Sequence, residues 1–274
     1  MKNHRRTPSE GRWAGPLPYV PARNLGALTR RARRASAALL AGLSAWLAPL
    51  AASAYRPFDG TDADVAEAGE FELELGPLHY AQEGEETSLF TPTVLNLGLV
   101  PRLEFIIDFV PVLARSGGGA QLKDGDVFLK YLLRSGTLQA ESGPSIAIEG
   151  GPLLPELNGE SGVGASLNLA LSQRWGSWTV HLNNEAELSR RELVFSYAAD
   201  LMGELELGAP LRPVAELGFE IEPSSGATSY AALGGVIWSV AEDFALDAAA
   251  RVGRREGVNA FEARHGLTWA IQIW

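Results

Sequence analysis

Residues 70–75 read EFELEL, and this strict alternation of glutamate with an apolar residue decides the fold class. A period of two is typical of a β-strand, because successive side chains of a strand point to opposite faces. One face of this strand is therefore acidic and the other is apolar. From Gly69 onward, segments with the same alternation follow one another along the chain.

The stretch before this strand, residues 56–69, reads RPFDGTDADVAEAG and contains three aspartates. Asp59 and Glu70 have the spacing of the first and last ligands of a helix-flanked calcium loop. The third and fifth positions of such a loop supply oxygen ligands and the sixth is a glycine. Here those three positions are Thr61, Ala63 and Asp64. We therefore predict a solvated, periplasmic lead-in over residues 55–68, with no metal ion and no cofactor.

The first 54 residues differ from the rest of the chain in charge. They contain nine of the 23 Lys and Arg residues and one of the 33 acidic residues. A basic cluster at 30–34, RRARR, precedes an apolar stretch that ends in the small residues Ala52-Ser53-Ala54. This order is typical of a secretory signal. We predict that residues 1–54 are a signal peptide with an extended leader and that the mature chain starts at Tyr55; the alternative is a membrane-anchoring helix.

The remaining residues, from position 55 onward, exclude several classes of function. They carry 14 basic against 32 acidic residues, so a nucleic-acid partner is not expected, since binding phosphates requires a basic face. The chain has no cysteine, which rules out disulfides and thiolate metal sites. No apolar run after residue 54 reaches the roughly 18 residues that a membrane-spanning helix needs.

Segments of about ten residues that alternate apolar and polar side chains are the sequence signature of a transmembrane barrel. Twelve such segments are present, near 69–80, 88–100, 102–113, 125–134, 144–154, 163–174, 177–188, 198–208, 211–222, 228–240, 243–254 and 262–274. We therefore predict an all-β fold, a closed antiparallel transmembrane β-barrel of about twelve strands over residues 69–274. Twelve strands leave an interior space between the filled eight-stranded barrels and the open sixteen-stranded ones, so a narrow or partly plugged lumen is expected.

The connections between these segments alternate in length. The tight ones lie at Pro101-Arg102, Gly176, Ala209-Pro210 and Ala241-Glu242, and the longer polar ones include AQEGEETS from Ala81, RSGGGAQLKDG from Arg115, ELNGESG from Glu156, PSSGATS from Pro223 and REGVNA from Arg255. This asymmetry is typical of an outer-membrane barrel, with both termini on the periplasmic, short-turn side. The connection 134–143 is the exception: it is expected to be short, so either the fifth strand starts near Thr137 or the strand count is off there.

Aromatic residues are concentrated at both ends of the predicted strands. Those at the short-turn ends are Trp175, Trp178, Trp238, Phe244 and Trp274, and those near the long-loop ends are Tyr80, Phe90, Phe195, Tyr197, Tyr230 and Phe261. Two aromatic belts are expected at the two interfaces of a membrane, because amphipathic rings favour the headgroup level. A soluble periplasmic ligand-binding barrel, which is one alternative, does not require such sorting.

The polar face of these strands is predicted to line the lumen, because a charge that faces lipid costs on the order of 2–4 kcal/mol near the membrane midplane. The predicted lumen-lining residues are Glu70, Glu72, Glu74, Glu104, Asp108, Lys130, His181, Asn183, Glu185, Glu216, Glu220, Arg251 and Arg264. Acidic groups outnumber basic ones in this set, so we expect a weak preference for cations.

A lipid-modifying hydrolase of the outer membrane is the second alternative. His181, Asn183 and Glu185 lie on one face of one segment and form a candidate constellation with Ser172 or Ser189. Polar residues at every second position also line the lumen of any barrel. The nucleophile of such a hydrolase must be reachable from lipid, whereas this face points inward, so we predict that the protein is not an enzyme.

Several short motifs are similar to those of the family of the MetA pathway of phenol degradation. The N-terminal ones are Arg56-Pro57-Phe58, Thr61-Asp62-Ala63, Gly69 and Glu72, and the later ones are GPSIAIEGG at 143–151 before Pro155, and Arg251-Val252-Gly253 before Gly266-Leu267-Thr268-Trp269. The resemblance covers most of the chain after residue 54. It implies an outer-membrane transporter-like barrel and carries no catalytic motif.

Together these patterns predict an outer-membrane channel for the passive passage of small solutes, with hydrophobic or aromatic compounds among the candidates. The expected location is the outer membrane of a Gram-negative bacterium. The expected partners are outer-membrane lipids, the small-molecule solute and, during biogenesis, the barrel-assembly machinery. That machinery commonly reads a terminal aromatic residue, here Trp274, although the apolar residues before it lie on the opposite parity.

Overall fold

A computed structural model describes residues 56–116, 118–208 and 210–274. Within these residues the chain forms one antiparallel sheet of 14 strands and a single 3-10 turn at Thr137–Gln139. The strands are β1 (Glu70–Leu75), β2 (His79–Glu83), β3 (Glu86–Phe90), β4 (Thr93–Val100), β5 (Leu103–Arg115), β6 (Gln121–Arg134), β7 (Ser145–Leu153), β8 (Gly164–Trp175), β9 (Trp178–Leu188), β10 (Phe195–Leu205), β11 (Leu211–Glu222), β12 (Ala227–Ala241), β13 (Phe244–Arg255) and β14 (Val258–Gln272).

The sheet closes into a barrel of twelve strand positions. β1 and β2 together fill the first position, and both pair with β14, from Glu70↔Gln272 to Glu83↔Ala260. β3 and β4 together fill the second position, and both pair with β5. Each of these breaks contains a proline, Pro77 or Pro92, which has no N–H to donate to the ladder. The predicted closed all-β barrel of about twelve strands is confirmed, and closure leaves no unpaired edge.

The barrel is polar inside and apolar outside. In β8 the burial alternates from Gly164 to Ser172, and the buried positions include Ser166 and Asn168 while the intervening Leu167 and Leu169 are exposed. Across the described residues, buried polar and charged side chains outnumber buried apolar ones, and large apolar side chains are far more often exposed than buried. This is the inverse of a soluble domain, whose apolar residues fill the core. No helix among the described residues is long and apolar enough to cross a membrane.

The connections differ from the predicted asymmetry in two places. The loops predicted from Ala81 and from Arg255 are two-residue turns, because the strand ladder extends to Glu83↔Glu86 and to Arg255↔Val258. Glu256 and Gly257 both have positive φ, as a tight hairpin turn of type I′ requires. At this end, called the long-loop end, the longest connection is 154–163.

The connection after β6 lies at the opposite, short-turn end and is nevertheless long. β7 starts at Ser145 rather than near Thr137, and the intervening residues contain the 3-10 turn. The twelve-strand count is therefore unaffected. The length of this connection has a structural reason: Gln139 Nε2 donates a hydrogen bond to Asp64 Oδ1 at 2.9 Å, so the connection reaches the residues that precede β1.

The outer surface carries exposed aromatic residues at both ends of the barrel. At the short-turn end these include Trp175, Trp178 and Trp238, and at the long-loop end Tyr230 and Phe261. Phe90 does not belong to this outer set. Its ring lies edge-on to the buried His79 ring, with 5.4 Å between centroids, because the two residues pair across β2 and β3. The predicted leader and the predicted cleavage before Tyr55 lie outside the described residues.

A candidate channel lumen crossed by the N-terminal segment

Residues 56–68, here called the lumenal segment, lie inside the barrel. Their partners are inward-facing side chains that follow one another around the wall, on β8, β9, β11, β13, β14 and β2. The segment ends at the short-turn end of the barrel, where the next residue, Gly69, donates its backbone N–H to Gly98 O. The sequence predicts a periplasmic lead-in at these positions, whereas in the structure the lead-in occupies the lumen.

Asn183 of β9 holds the middle of the segment. Its Oδ1 accepts a hydrogen bond from the backbone N–H of Thr61 at 2.9 Å, and its Nδ2 donates to the backbone oxygen of Thr61 at 2.6 Å. Asn183 is 2% exposed. A side-chain amide thus satisfies both backbone groups of one segment residue, which otherwise would be buried without partners.

Glu216 of β11 holds the next two residues. Its two carboxylate oxygens accept hydrogen bonds from the backbone N–H groups of Asp59 at 2.9 Å and Gly60 at 3.0 Å. A side chain at position 60 has no room, because a Cβ there would lie 2.8 Å from Met202 Cε. The glycine therefore allows the close approach that both hydrogen bonds need.

Four charged side chains form a cluster: Asp59 of the lumenal segment, Arg251 of β13, and Glu262 and Arg264 of β14. Asp59 lies 2.7 Å from Arg251 Nε and 2.6 Å from Arg264 Nη1, and Glu262 pairs with the same two arginines at 3.2 and 2.5 Å. The two acids balance the two arginines, so the cluster is neutral in formal charge. The Asp59 side chain is still 35% exposed, which means that the cluster borders unfilled lumen.

Small residues form the wall next to this cluster. Gly218, Ala231, Gly253 and Ala260 pair with one another across β11 to β14 and lie on the same face as Arg251. Their side chains occupy little space, so the lumen stays open on this side between the cluster and the long-loop end.

Arg56, the first described residue, is anchored deep in the wall. Its guanidinium lies 3.3 Å from Asp247 Oδ2 and 2.7 Å from His79 Nε2, and the residue is 7% exposed. Two glycines make room for it. A Cβ at Gly76 would lie 2.5 Å from Arg56 Nη2, and a Cβ at Gly266 would lie 2.3 Å from Arg56 Nε.

Lys130 and Ser172 complete the anchoring. Lys130 Nζ donates to Thr61 Oγ1 at 2.9 Å and lies 3.8 Å from Asp62 Oδ1. Ser172 Oγ accepts a hydrogen bond from the backbone N–H of Ala63 at 2.9 Å. Lys130 Nζ and Ser172 Oγ are both engaged with the lumenal segment, so these two side chains hold the segment in place and do not present reactive groups to a solute.

Of the predicted hydrolase constellation, only the pairing of Ser172 with His181 is found. Ser172 Oγ and His181 Nδ1 are 2.8 Å apart, and His181 Nε2 lies 3.3 Å from Glu204 on β10. Asn183 is engaged with the lumenal segment. Ser172 is 1% exposed and its oxygen already accepts a bond from Ala63, so no substrate carbonyl can approach it in this arrangement.

The remaining members of that constellation and of the acidic set have other partners. Glu185 accepts a hydrogen bond from Ser166, and Ser189 bonds within its own turn to Val194. Glu72 and Glu74 both accept bonds from Asn96 Nδ2, at 3.3 and 3.2 Å.

The other predicted lumen residues differ in burial. Glu104 is buried, whereas Asp108 and Glu220 are partly exposed; Glu70 binds the backbone N–H of Glu67 at 2.8 Å. Asp59 and Glu70, the ends of the rejected calcium spacing, thus have separate partners. Among the described residues no group of three or more His, Asp or Glu side chains is arranged to hold a metal ion.

Sequence reasoning missed four residues that tie the lumenal segment to the wall, Arg56, Asp59, Asp62 and Asp247. It also missed Glu262, which pairs with Arg251 and Arg264 within the wall. The segment has no alternation that would assign its side chains to a face. One signal was present, since the inward-facing Arg251 and Arg264 require acidic partners and Asp59 is one of the acids that no strand pattern accounts for.

No family model and no curated protein matches the sequence. Several solved structures have a similar fold. The COG4313 outer membrane channel from Pseudomonas putida F1 has a TM-score of 0.62 at 16% identity, covering 78% of this chain and 100% of that one. The NanC porin has a TM-score of 0.54 at 8% identity, and the KdgM porin 0.50 at 10%, each covering 72% of this chain and 98% of the other. At these identities the likeness shows a shared barrel fold. The resemblance to the phenol-degradation family stays a prediction.

Proposed function

We propose that this protein is an outer-membrane channel through which small solutes pass passively, and that the lumenal segment narrows its opening. The observation that carries the proposal is a closed barrel with an apolar outer surface and a charged interior. An apolar exterior suits lipid, and an interior lined with Glu, Asp and Arg suits water and polar solutes. The fold shared with outer-membrane channels and porins supports this assignment.

The lumenal segment sets the size of the opening. Its anchors at Thr61 and Asp59 hold it across the lumen, and the unfilled space borders the Asp59 cluster. Small solutes are therefore the expected traffic. Charged walls favour polar solutes, and the family resemblance extends the proposal to small aromatic compounds such as phenol. The lipids and the assembly machinery of the outer membrane are the proposed partners in the cell.

Planar-bilayer recording of the purified mature protein tests the proposal. We expect discrete conductance steps that are absent from a heat-denatured sample. Swelling of liposomes that contain the protein then ranks solutes by size and charge, with phenol, glycerol and a disaccharide as probes. A folded protein that produces no conductance and no swelling would contradict a channel.

A further inference from the structure

A row of four inward-facing side chains crosses four adjacent strands in the wall. Lys130 on β6 pairs with Glu149 on β7, Glu149 pairs with Asn168 on β8, and Asn168 pairs with Glu185 on β9. Directly paired residues of antiparallel strands share a face, so all four side chains line the lumen. Neighbouring strands lie about 4.8 Å apart, which places the backbones of Glu149 and Glu185 about 10 Å apart with Asn168 between them.

The side-chain amide oxygen of Asn168 has no hydrogen-bond partner. Its Nδ2 donates to Asn183 Oδ1 at 2.8 Å, whereas its Oδ1 is buried and accepts no hydrogen bond. The whole residue is 8% exposed. A buried acceptor without a donor is unfavourable, so the site lacks a donor. The residues on either side in the row are carboxylates, which in their charged form only accept.

The two flanking carboxylates keep acceptor capacity. Glu149 is half-buried and forms no hydrogen bond to another described side chain. Glu185 is also half-buried and accepts one bond, from Ser166 Oγ. Lys130, the cation at the end of the row, has its ammonium group on Thr61 and Asp62 of the lumenal segment.

We propose that Glu149, Asn168 and Glu185 form a binding station for a small organic cation that carries several N–H groups, such as a guanidinium or a primary ammonium. The two carboxylates supply the charge, and the amide oxygen between them accepts an N–H. This inference rests on the proposed channel function and names a class of solute for it.

The spacing favours an organic cation over a metal ion. A metal ion requires its ligands at about 2.0–2.6 Å on several sides, and here the two carboxylates start from strands that another strand separates. A guanidinium is flat and has N–H donors on opposite edges, so it bridges acceptors that lie further apart.

The station also lies beside the narrowed part of the lumen. Asn183, which accepts the bond from Asn168, is the residue that holds Thr61. The station therefore lies on the wall directly next to the lumenal segment. A solute that passes through the narrowed lumen comes close to the station.

Planar-bilayer recording in potassium chloride, with guanidinium or tetramethylammonium added, tests the inference. Tetramethylammonium has the same charge and no N–H group. We expect guanidinium to reduce the potassium current in a saturable way, with at least a tenfold lower half-blocking concentration than tetramethylammonium. Glu149→Gln/Glu185→Gln raises that concentration at least tenfold. Asn168→Leu lowers the preference for guanidinium over tetramethylammonium.

The matched control is Glu206→Gln/Glu222→Gln, which removes the same charge at positions outside the row and leaves the guanidinium block unchanged. An equal block by the two cations in the wild type, or a block that the row variants leave unmoved, overturns the station. Absence of any wild-type current contradicts the channel itself and is distinguishable from both. Should the double variant not fold, calorimetric titration of the wild-type protein with guanidinium and with tetramethylammonium decides, and equal heats overturn the inference.

Discussion

The side-chain amide of Asn183 pairs with the backbone of Thr61 through two hydrogen bonds, of 2.9 and 2.6 Å. The two residues are 122 positions apart in sequence, and one lies on the barrel wall while the other lies in the segment that crosses the lumen. This pairing makes the segment part of the folded barrel rather than a free tail.

Replacing Asn183 with leucine should loosen the lumenal segment. The change leaves the N–H and C=O of Thr61 without partners, at a cost of about 1–3 kcal/mol for each group that stays buried. We expect a higher or noisier single-channel conductance and faster proteolysis near residue 61. Asn184→Leu is the matched control, because Asn184 is the next residue of the same strand and bonds to Tyr197 on the outside. Equal behaviour of both variants would argue against the anchor.

Gly266→Ala should displace Arg56. A Cβ at position 266 would lie 2.3 Å from Arg56 Nε and 2.7 Å from Asp247 Oδ2, so the ion pair between them cannot persist unchanged. Breaking a buried pair costs on the order of 3–5 kcal/mol when one charge stays unpaired. A lower unfolding temperature, seen as the loss of the fast-migrating unboiled band on a gel, is the expected result. Gly234→Ala is the control, since a Cβ there meets nothing within 4 Å.

Two acidic residues of β11 should behave differently when neutralised. Glu216 holds the backbone of Asp59 and Gly60, so Glu216→Gln should mainly change the conductance by weakening the segment's attachment. Glu220 forms no such bond and lines the lumen, so Glu220→Gln should mainly lower the preference for cations. Reversal potentials under a salt gradient separate the two effects. A wild type without cation preference would contradict the acidic selectivity of the lumen.

The Ser172–His181 pair should be structural. His181→Ala removes the partner of Ser172 and of Glu204, and we expect a loss of stability of about 1–3 kcal/mol with solute passage retained. A fluorophosphonate probe, which labels activated serines, should not react with Ser172 in the folded protein, because Ser172 is buried under Ala63. Labelling of Ser172 together with lipid hydrolysis that His181→Ala abolishes would instead support the enzyme.

The mature protein should fractionate with outer membranes and begin at Tyr55. Mass spectrometry of the purified protein checks the first residue. Retention of residues 30–54 would support a membrane anchor, and release into the soluble periplasmic fraction would contradict the membrane location.

The sequence by itself determined the class and size of the barrel, since a period of two assigns every strand residue to one of two faces. The glutamates of EFELEL, like His181 and Asn183, are therefore assigned to the inner face before any contact is known. Turn residues in the sequence also mark where most strands end. The predicted strand ends are wrong where a tight hairpin turn lets the strand pairing continue further, as at Glu256-Gly257.

Only the tertiary structure decided what the lumen contains. Residues 56–68 have no periodicity, and their path depends on contacts with strands more than a hundred positions away, such as Thr61 with Asn183 and Asp59 with Arg251. Local pattern carries no information about such pairs, because the closed barrel must first bring the strands around the segment. The same closure places Glu149, Asn168 and Glu185 in one row, since register between strands, rather than sequence spacing, sets which side chains meet.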